Sequence, residues 1–126
     1  MKVIAPSPAW HVPAVSDAAM LTKTTAYVAL SSVAAKSSDE LESAVEKLVD
    51  GGAQSLVLDL RGNGGGFFEE GVRIASLFLP KGELVVSLTG KQGAAPTESR
   101  TKHNGRWTQL PIVVLVDAHT ASSAEI

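Results

Sequence analysis

The chain has 126 residues, the length of one ordinary domain, and 44% of them are apolar, so it is predicted to fold around a core. Eleven basic and 13 acidic side chains give a net charge of −2, a balance that does not predict the basic surface typical of nucleic-acid-binding proteins. There is no cysteine, which excludes disulfides and thiolate zinc sites.

The first 22 residues are predicted to be the end of a preceding unit, because Pro6, Pro8 and Pro13 prevent a helix there. From residue 24 the proline-containing sequence gives way to one typical of regular secondary structure. Residues 25–31 (Thr-Ala-Tyr-Val-Ala-Leu-Ser) predict a strand. The domain itself is therefore expected to span residues 23–126.

A helix is predicted to begin at Ser37, which forms a capping-box pattern with Glu40, and to end at Gly51 and Gly52. The apolar run of residues 55–60 follows directly and is typical of a strand buried on both faces of a sheet. Strand, helix and strand at these lengths predict a βαβ unit with a right-handed crossover.

The remaining pattern extends the same α/β architecture. It predicts a glycine turn at residues 61–66, a helix at 67–79, a strand at 83–89, a polar hairpin or mobile loop at 90–106, and a last strand at 110–116. Residues 122–126 resemble the first turn of a helix. Because a helix after a core strand normally covers the sheet, we expect the chain to be a C-terminally truncated fragment.

Two segments could carry chemistry. The first is the glycine turn, whose backbone N–H groups could hold an anion or a developing oxyanion because no Cβ stands in the way. It lacks the spacing of a dinucleotide-binding fingerprint and the lysine of a phosphate-binding loop. The alternative is a tight turn that merely needs positive φ angles.

The second segment is residues 120–125, where Ser122 stands between a buried strand and a helix start, as a nucleophile would. The alternative is ordinary N-capping by Ser122 or Ser123. His119 is too close in sequence to act as a base on Ser122 and is interpreted as a turn residue. His11 and His103 are interpreted as solvated, and no metal is expected.

Both segments together resemble the C-terminal processing peptidases, also called tail-specific serine proteases. Residues 58–66 (Leu-Asp-Leu-Arg-Gly-Asn-Gly-Gly-Gly) match that family's D-L-R-x-N-x-G-G pattern. Residues 120–126 (Thr-Ala-Ser-Ser-Ala-Glu-Ile) are similar to its T-A-S-A-S/A-E-I nucleophile motif. Ser123 departs from the family, which usually carries alanine there.

The resemblance implies a ClpP/crotonase-like α/β core with Ser122 as the nucleophile. Backbone N–H groups of Gly65, Gly66 and Ser123 would form the oxyanion hole, with Gly65 preferred to Gly66 as the first donor. The activating base would be a lysine, supported by a glutamine, in a segment after Ile126. Asp59, Arg61 and Asn63 would hold the turn in shape. None of the seven lysines of this sequence is in the position of that base: Lys2, Lys23, Lys36, Lys47, Lys81, Lys91 and Lys102.

The resemblance further implies that residues 1–22 are the exit segment of a missing PDZ-like module and residues 23–126 a partial catalytic core. The implied activity is endopeptidase cleavage of unfolded or C-terminally exposed polypeptides, without cofactor, in the periplasm or cell envelope. The fragment alone would be inactive. The alternatives are a non-catalytic ligand-binding protein on the same fold, like the retinoid-binding repeats, and an inactive relative in which Ser122 is only a cap.

Overall fold

A computed structural model of the chain describes residues 12–90 and 92–126. It has the α/β architecture that the sequence predicts. No helix in the described ranges is long and apolar enough to cross a bilayer. The elements are β1 (Val15–Met20), β2 (Thr25–Leu30), α1 (Ser37–Asp50), β3 (Ser55–Asp59), α2 (Phe68–Ser76), β4 (Leu84–Leu88), β5 (Thr97–Arg100), β6 (Ile112–Leu115) and a 3₁₀ turn (Ser122–Glu125).

Four strands form the main sheet in the order β1-β2-β3-β6. Strands β2, β3 and β6 are parallel, and β1 pairs antiparallel with β2. The parallel pairing of β2 with β3 through α1 confirms the predicted βαβ unit. Strands β4 and β5 form a separate antiparallel hairpin, so the predicted polar segment 90–106 contains a short strand.

The core lies between the sheet and the helices. Alternate residues of β2 and β3 are buried, and α1 packs on β1 and β2. On the opposite face of the sheet Val57 is only half-buried, and Val113 is 59% exposed. Among the described residues, the sheet is therefore covered on one face rather than on both. The largest fully buried apolar side chains are Val28, Leu30, Val33, Leu41, Val45 and Leu56.

The predicted capping box at the start of α1 is wrong. Lys36 is the N-cap, in the left-handed conformation with φ 66°, and the hydroxyl of Ser37 is buried without a partner among the described residues. The cap comes instead from Glu70 of α2, whose carboxylate accepts the N–H of Lys36 at 2.6 Å and of Ser38 at 3.4 Å. A side chain distant in sequence has replaced the local cap, and it ties the two helices together.

Strand β1 was not predicted, because its alanines and polar residues give no clear alternation. Glu40 of α1 accepts the N–H of Ala14 at 2.6 Å and of Val15 at 3.2 Å, which fixes the start of this strand against the helix. Residues 15–20 thus belong to the main sheet, together with β2, β3 and β6. The boundary at residue 22 stays a prediction, and the interpretations of Pro6, Pro8 and His11 lie outside the described residues.

Candidate active site

The glycine turn and the serine segment meet at one edge of the sheet. Strands β3 and β6 are parallel neighbours, so their carboxyl ends lie side by side, and each segment follows one of them. The N–H of Ala121 donates to the carbonyl of Asn63 at 3.0 Å. The hydroxyl of Thr120 donates to the carbonyl of Leu60 at 2.7 Å. The two segments that the sequence singled out therefore form one hydrogen-bonded unit.

Gly65 makes this contact possible. Its φ is +91°, and a Cβ at this position would lie 2.7 Å from Ala121 O and 2.8 Å from Ser122 Cβ. Both distances are far below ordinary van der Waals contact, so no side chain fits between the turn and the serine. The carbonyl of Gly65 accepts the N–H of Val33 at 3.0 Å, which anchors the turn to the chain after β2. Glycine is needed here for both its conformation and its size.

Ser122 is exposed and has a φ of 56°. In the described part of the chain, Lys36 is the other non-glycine residue with a positive φ. Such conformations are strained and concentrate at functional sites. The N–H of Ser122 donates to Glu125 Oε2 at 3.0 Å, and its hydroxyl forms no hydrogen bond within residues 12–90 and 92–126. The hydroxyl thus stands free beside the glycine turn.

Helix capping does not explain this serine segment. The 3₁₀ turn has no side-chain cap hydrogen bond, so neither Ser122 nor Ser123 caps it with a hydroxyl. The carboxylate of Glu125 instead accepts the Ser122 N–H. His119 lies in an exposed turn, as interpreted from the sequence, and its backbone N–H donates to Asp117 at 2.9 Å. His103 is exposed as well.

The three predicted N–H donors differ in availability. The N–H of Gly65 donates to Asn63 Oδ1 at 2.8 Å and is thereby occupied. The N–H groups of Gly66 and Ser123 have no acceptor within the described ranges. Asn63 is fully buried, and its Nδ2 donates to the carbonyl of Leu30 at 2.9 Å. This arrangement favours Gly66 over Gly65 as the donor from the glycine turn.

Ser123 is 5% exposed, and its hydroxyl is buried without a partner in the part of the chain that the structure describes. Its backbone packs against α2 at Gly71, where a Cβ would lie 2.8 Å from Ser123 O. Sequence reasoning missed Gly71, because a glycine inside a helix gives no local sign of a close contact elsewhere in the chain. The helix and the glycine turn thus hold the serine segment from two sides.

An ion pair between buried Asp59 and exposed Arg61 supports the start of the glycine turn. Asp59 at the end of β3 accepts Arg61 Nη2 at 2.8 Å and Nε at 2.9 Å, and the hydroxyl of Tyr27 at 2.5 Å. The Arg61 hydrogen bonds hold the pKa of Asp59 well below its usual range, and the bond to Asp59 raises the pKa of Tyr27. These contacts agree with the structural role expected for Asp59 and Arg61.

Sequence reasoning also missed Asp117 at the end of β6. Its Oδ1 accepts the N–H of Gly62 at 3.0 Å and of Thr120 at 3.2 Å, in addition to that of His119. These backbone hydrogen bonds, that from Gly62 first, lower the pKa of the Asp117 carboxyl. The D-x-x-T spacing of Asp117 and Thr120, typical of a side-chain-stabilised turn, could have pointed to it.

A cleft of about 390 Å³ opens beside the serine. Ser122 lines one side, and Val86 and Leu88 of β4 line the other, with Phe68 nearby. The hydroxyl of Ser122 is thus next to a largely apolar space at the sheet edge. Such a space could accept an apolar side chain of a ligand.

The profile of peptidase family S41 matches residues 24–126. The chain belongs to this peptidase family. The match covers both the glycine turn and the serine segment, and it confirms the resemblance on which the sequence interpretation rested.

The chain is 39% identical over 100 residues to the carboxyl-terminal-processing protease of Synechocystis, covering 79% of this chain and 23% of that protein. It is 35% identical over 99 residues to the carboxy-terminal processing protease CtpA of Bacillus subtilis, covering 79% and 21%. Among solved structures, it matches a photosystem II D1 C-terminal processing protease with a TM-score of 0.73 and 33% identity, over 80% of this chain and 26% of that one. The chain spans about a fifth to a quarter of these relatives, and the match confirms the α/β fold class.

Proposed function

We propose that this chain is part of the catalytic core of a serine endopeptidase of the carboxyl-terminal-processing type, with Ser122 as the nucleophile. The observation that carries the proposal is the conformation of Ser122. Its φ of 56° and the contact with Gly65 leave its hydroxyl free beside two unoccupied backbone N–H groups. A nucleophile next to preorganised donors is the arrangement that acyl transfer requires.

In this mechanism Ser122 Oγ attacks the scissile carbonyl carbon and gives its proton to a base. The tetrahedral oxyanion accepts hydrogen bonds from the N–H groups of Ser123 and Gly66, each such donor contributing about 10²–10³ in rate. The C–N bond then breaks, the amine leaves with the proton from the base, and an acyl-enzyme remains. Water hydrolyses this ester and returns Ser122 to its free form.

The base in our proposal is a lysine in a segment that follows Ile126 in the complete protein, oriented by a glutamine. In support, Ser122 Oγ forms no hydrogen bond to any residue in 12–90 or 92–126. A desolvated pocket would lower the lysine pKa and keep it neutral enough to accept the proton. We therefore expect the 126-residue chain alone to be inactive as a protease.

The substrates that we propose are unfolded polypeptides or polypeptides with an exposed C-terminus. The names of the relatives and the apolar cleft beside Ser122 support this class. For the location we propose the periplasm or cell envelope. The related proteases include bacterial enzymes and a chloroplastic one from Arabidopsis thaliana.

The test compares Ser122→Ala with Ser123→Ala in the protein expressed from its complete gene. Cleavage of an unfolded reporter with an apolar C-terminus should be abolished by Ser122→Ala. Ser123→Ala should retain most of it, because Ser123 contributes only its backbone N–H. The reverse ranking would refute Ser122 as the nucleophile. Cleavage by the 126-residue chain itself, lost on Ser122→Ala, would refute a base outside these residues.

A further inference from the structure

We propose that Asp117 is a positioning residue, which sets the distance between the two segments that stabilise the oxyanion. The inference rests on the proposed function, because it concerns the same reaction. The hydrogen bonds of Asp117 within the described ranges involve neither the serine hydroxyl nor the proposed oxyanion donors. It acts through the backbone of the glycine turn and of the serine segment.

The carboxylate of Asp117 joins the two segments directly. Its Oδ1 accepts the N–H of Gly62, which belongs to the glycine turn 55 residues earlier, at 3.0 Å. The same oxygen accepts the N–H of His119 at 2.9 Å and of Thr120 at 3.2 Å on its own side. One oxygen atom thus fixes both segments with three backbone hydrogen bonds.

Thr120 closes the connection with its hydroxyl. Thr120 Oγ1 accepts the N–H of Asp117 at 3.1 Å and donates to the carbonyl of Leu60 at 2.7 Å. Leu60 in turn directly precedes the glycine turn. We name Asp117, Thr120 and their backbone partners Gly62 and Leu60 the turn clasp.

The turn clasp matters for chemistry because the two available N–H donors, those of Gly66 and Ser123, belong to the two different segments that it joins. Gly66 is the last residue of the glycine turn that contains Gly62, and Ser123 lies three residues after Thr120 in the serine segment. A change in the separation of these segments moves one N–H relative to the other. A displacement of about 1 Å in a catalytic arrangement can lower the rate about 10²-fold.

An ordinary turn residue would account for the bonds to His119 and Thr120, which are local. It would not account for the bond to Gly62, which contributes nothing to the Asp117 turn itself. The carboxylate is suited to this role because an ionised oxygen accepts several N–H groups strongly. An asparagine would keep one acceptor oxygen, lose the charge and carry an NH2 group in place of the second oxygen.

The experiment uses the protein expressed from its complete gene, with Asp117→Ala, Asp117→Asn and the control Asp17→Ala. Asp17 is an exposed aspartate on β1, at the other end of the sheet. For each variant, kcat and KM are measured on a peptide substrate and normalised to the folded fraction from circular dichroism. The affinity for a peptide aldehyde, which adds to the serine as a tetrahedral adduct, is compared with that for the unreactive amide of the same peptide.

Asp117→Ala is expected to lower kcat about 10²-fold with KM unchanged. The aldehyde affinity should fall in parallel, whereas the amide affinity should not. Asp117→Asn should recover most of kcat, and Asp17→Ala should match the unsubstituted protein. If Asp117→Ala does not fold, Thr120→Val should show the same kcat loss and Thr120→Ser should relieve it.

An unchanged kcat in folded Asp117→Ala or Thr120→Val would overturn the inference, as would a loss that asparagine or serine fails to relieve. Equal weakening of aldehyde and amide binding would also overturn it, because positioning of oxyanion donors affects only the adduct. A failure of the proposed function looks different. In that case the unsubstituted protein shows no Ser122-dependent cleavage at all.

Discussion

Replacement of Gly65 by alanine tests the contact between the glycine turn and the serine. The added methyl group would lie 2.7 Å from Ala121 O and 2.8 Å from Ser122 Cβ, where ordinary contact begins at about 3.4 Å. Both neighbours are backbone or Cβ atoms and cannot rotate away. The serine segment must therefore move. Gly62→Ala is a matched control, because Gly62 also has a positive φ, of +75°, but has open space around it.

The two variants share the penalty of a left-handed alanine, about 1–2 kcal/mol. They also share a stabilising effect, because the conformational entropy of the unfolded chain is lower with alanine than with glycine. They differ in the steric overlap, and overpacking of this kind typically costs about 1–3 kcal/mol. We therefore expect Gly65→Ala to lower the free energy of unfolding by about 1–3 kcal/mol more than Gly62→Ala.

Urea denaturation of the chain measures this difference, with the slope m unchanged between variants. In the protein expressed from its complete gene, Gly65→Ala should lower kcat about 10²-fold, since it displaces Ser122 and the neighbouring N–H groups. Gly62→Ala should have a much smaller effect on the rate. Equal stabilities together with equal rates for the two variants would refute the close approach of Gly65 to the serine.

Three further predictions concern the support of the site, and each is measured by chemical denaturation. Asn63→Ala should lower the free energy of unfolding by about 2–4 kcal/mol, because it leaves two backbone groups without their partner. Asn104→Ala, which removes a similar but exposed bond, should cost less than about 1 kcal/mol, and equal losses would contradict the argument. The pKa of Asp59 is lower in the folded than in the unfolded protein, so its ion pair stabilises the fold above about pH 4 and loses this effect as the pH falls. Asp59→Asn should flatten that acid-side loss of stability, and an unchanged pH dependence would contradict the assignment. Glu70→Ala should cost about 0.5–2 kcal/mol as a lost helix cap, whereas exposed Glu69→Ala should be nearly neutral, and the opposite order would exclude the cap.

The parts of the fold that follow from local pattern were predictable from the sequence. The helix after Ser37 has apolar residues at helical spacing, and the glycine pair at its end marks the boundary. The strand at 55–59 is a short apolar run. Because a helix connects it to the strand before Ser37, the two strands were expected to pair in parallel. Strand β1 was missed because Ala18 and Ala19 fit either element and Pro13 suggested irregular chain.

Contacts between distant residues were not predictable. The sequence pattern assigned the cap of α1 to Ser37 and Glu40, but Glu70 approaches from another helix and accepts the N–H groups of Lys36 and Ser38 instead. Similarly, the pattern offered three oxyanion donors without showing that Asn63 occupies the N–H of Gly65. The sequence shows which backbone N–H groups are candidate donors. Which of them remain without an acceptor depends on how distant side chains pack in the fold.

The turn clasp also has a consequence for biosynthesis. Its bond from Gly62 to Asp117 joins residues 55 positions apart, and it requires β6 to have paired with β3. Contacts of this sequence separation form late, because the intervening chain must be closed into a loop first. During synthesis the glycine turn leaves the ribosome well before the serine segment. Until β6 pairs with β3, the proposed nucleophile therefore has no preorganised N–H donor from the glycine turn.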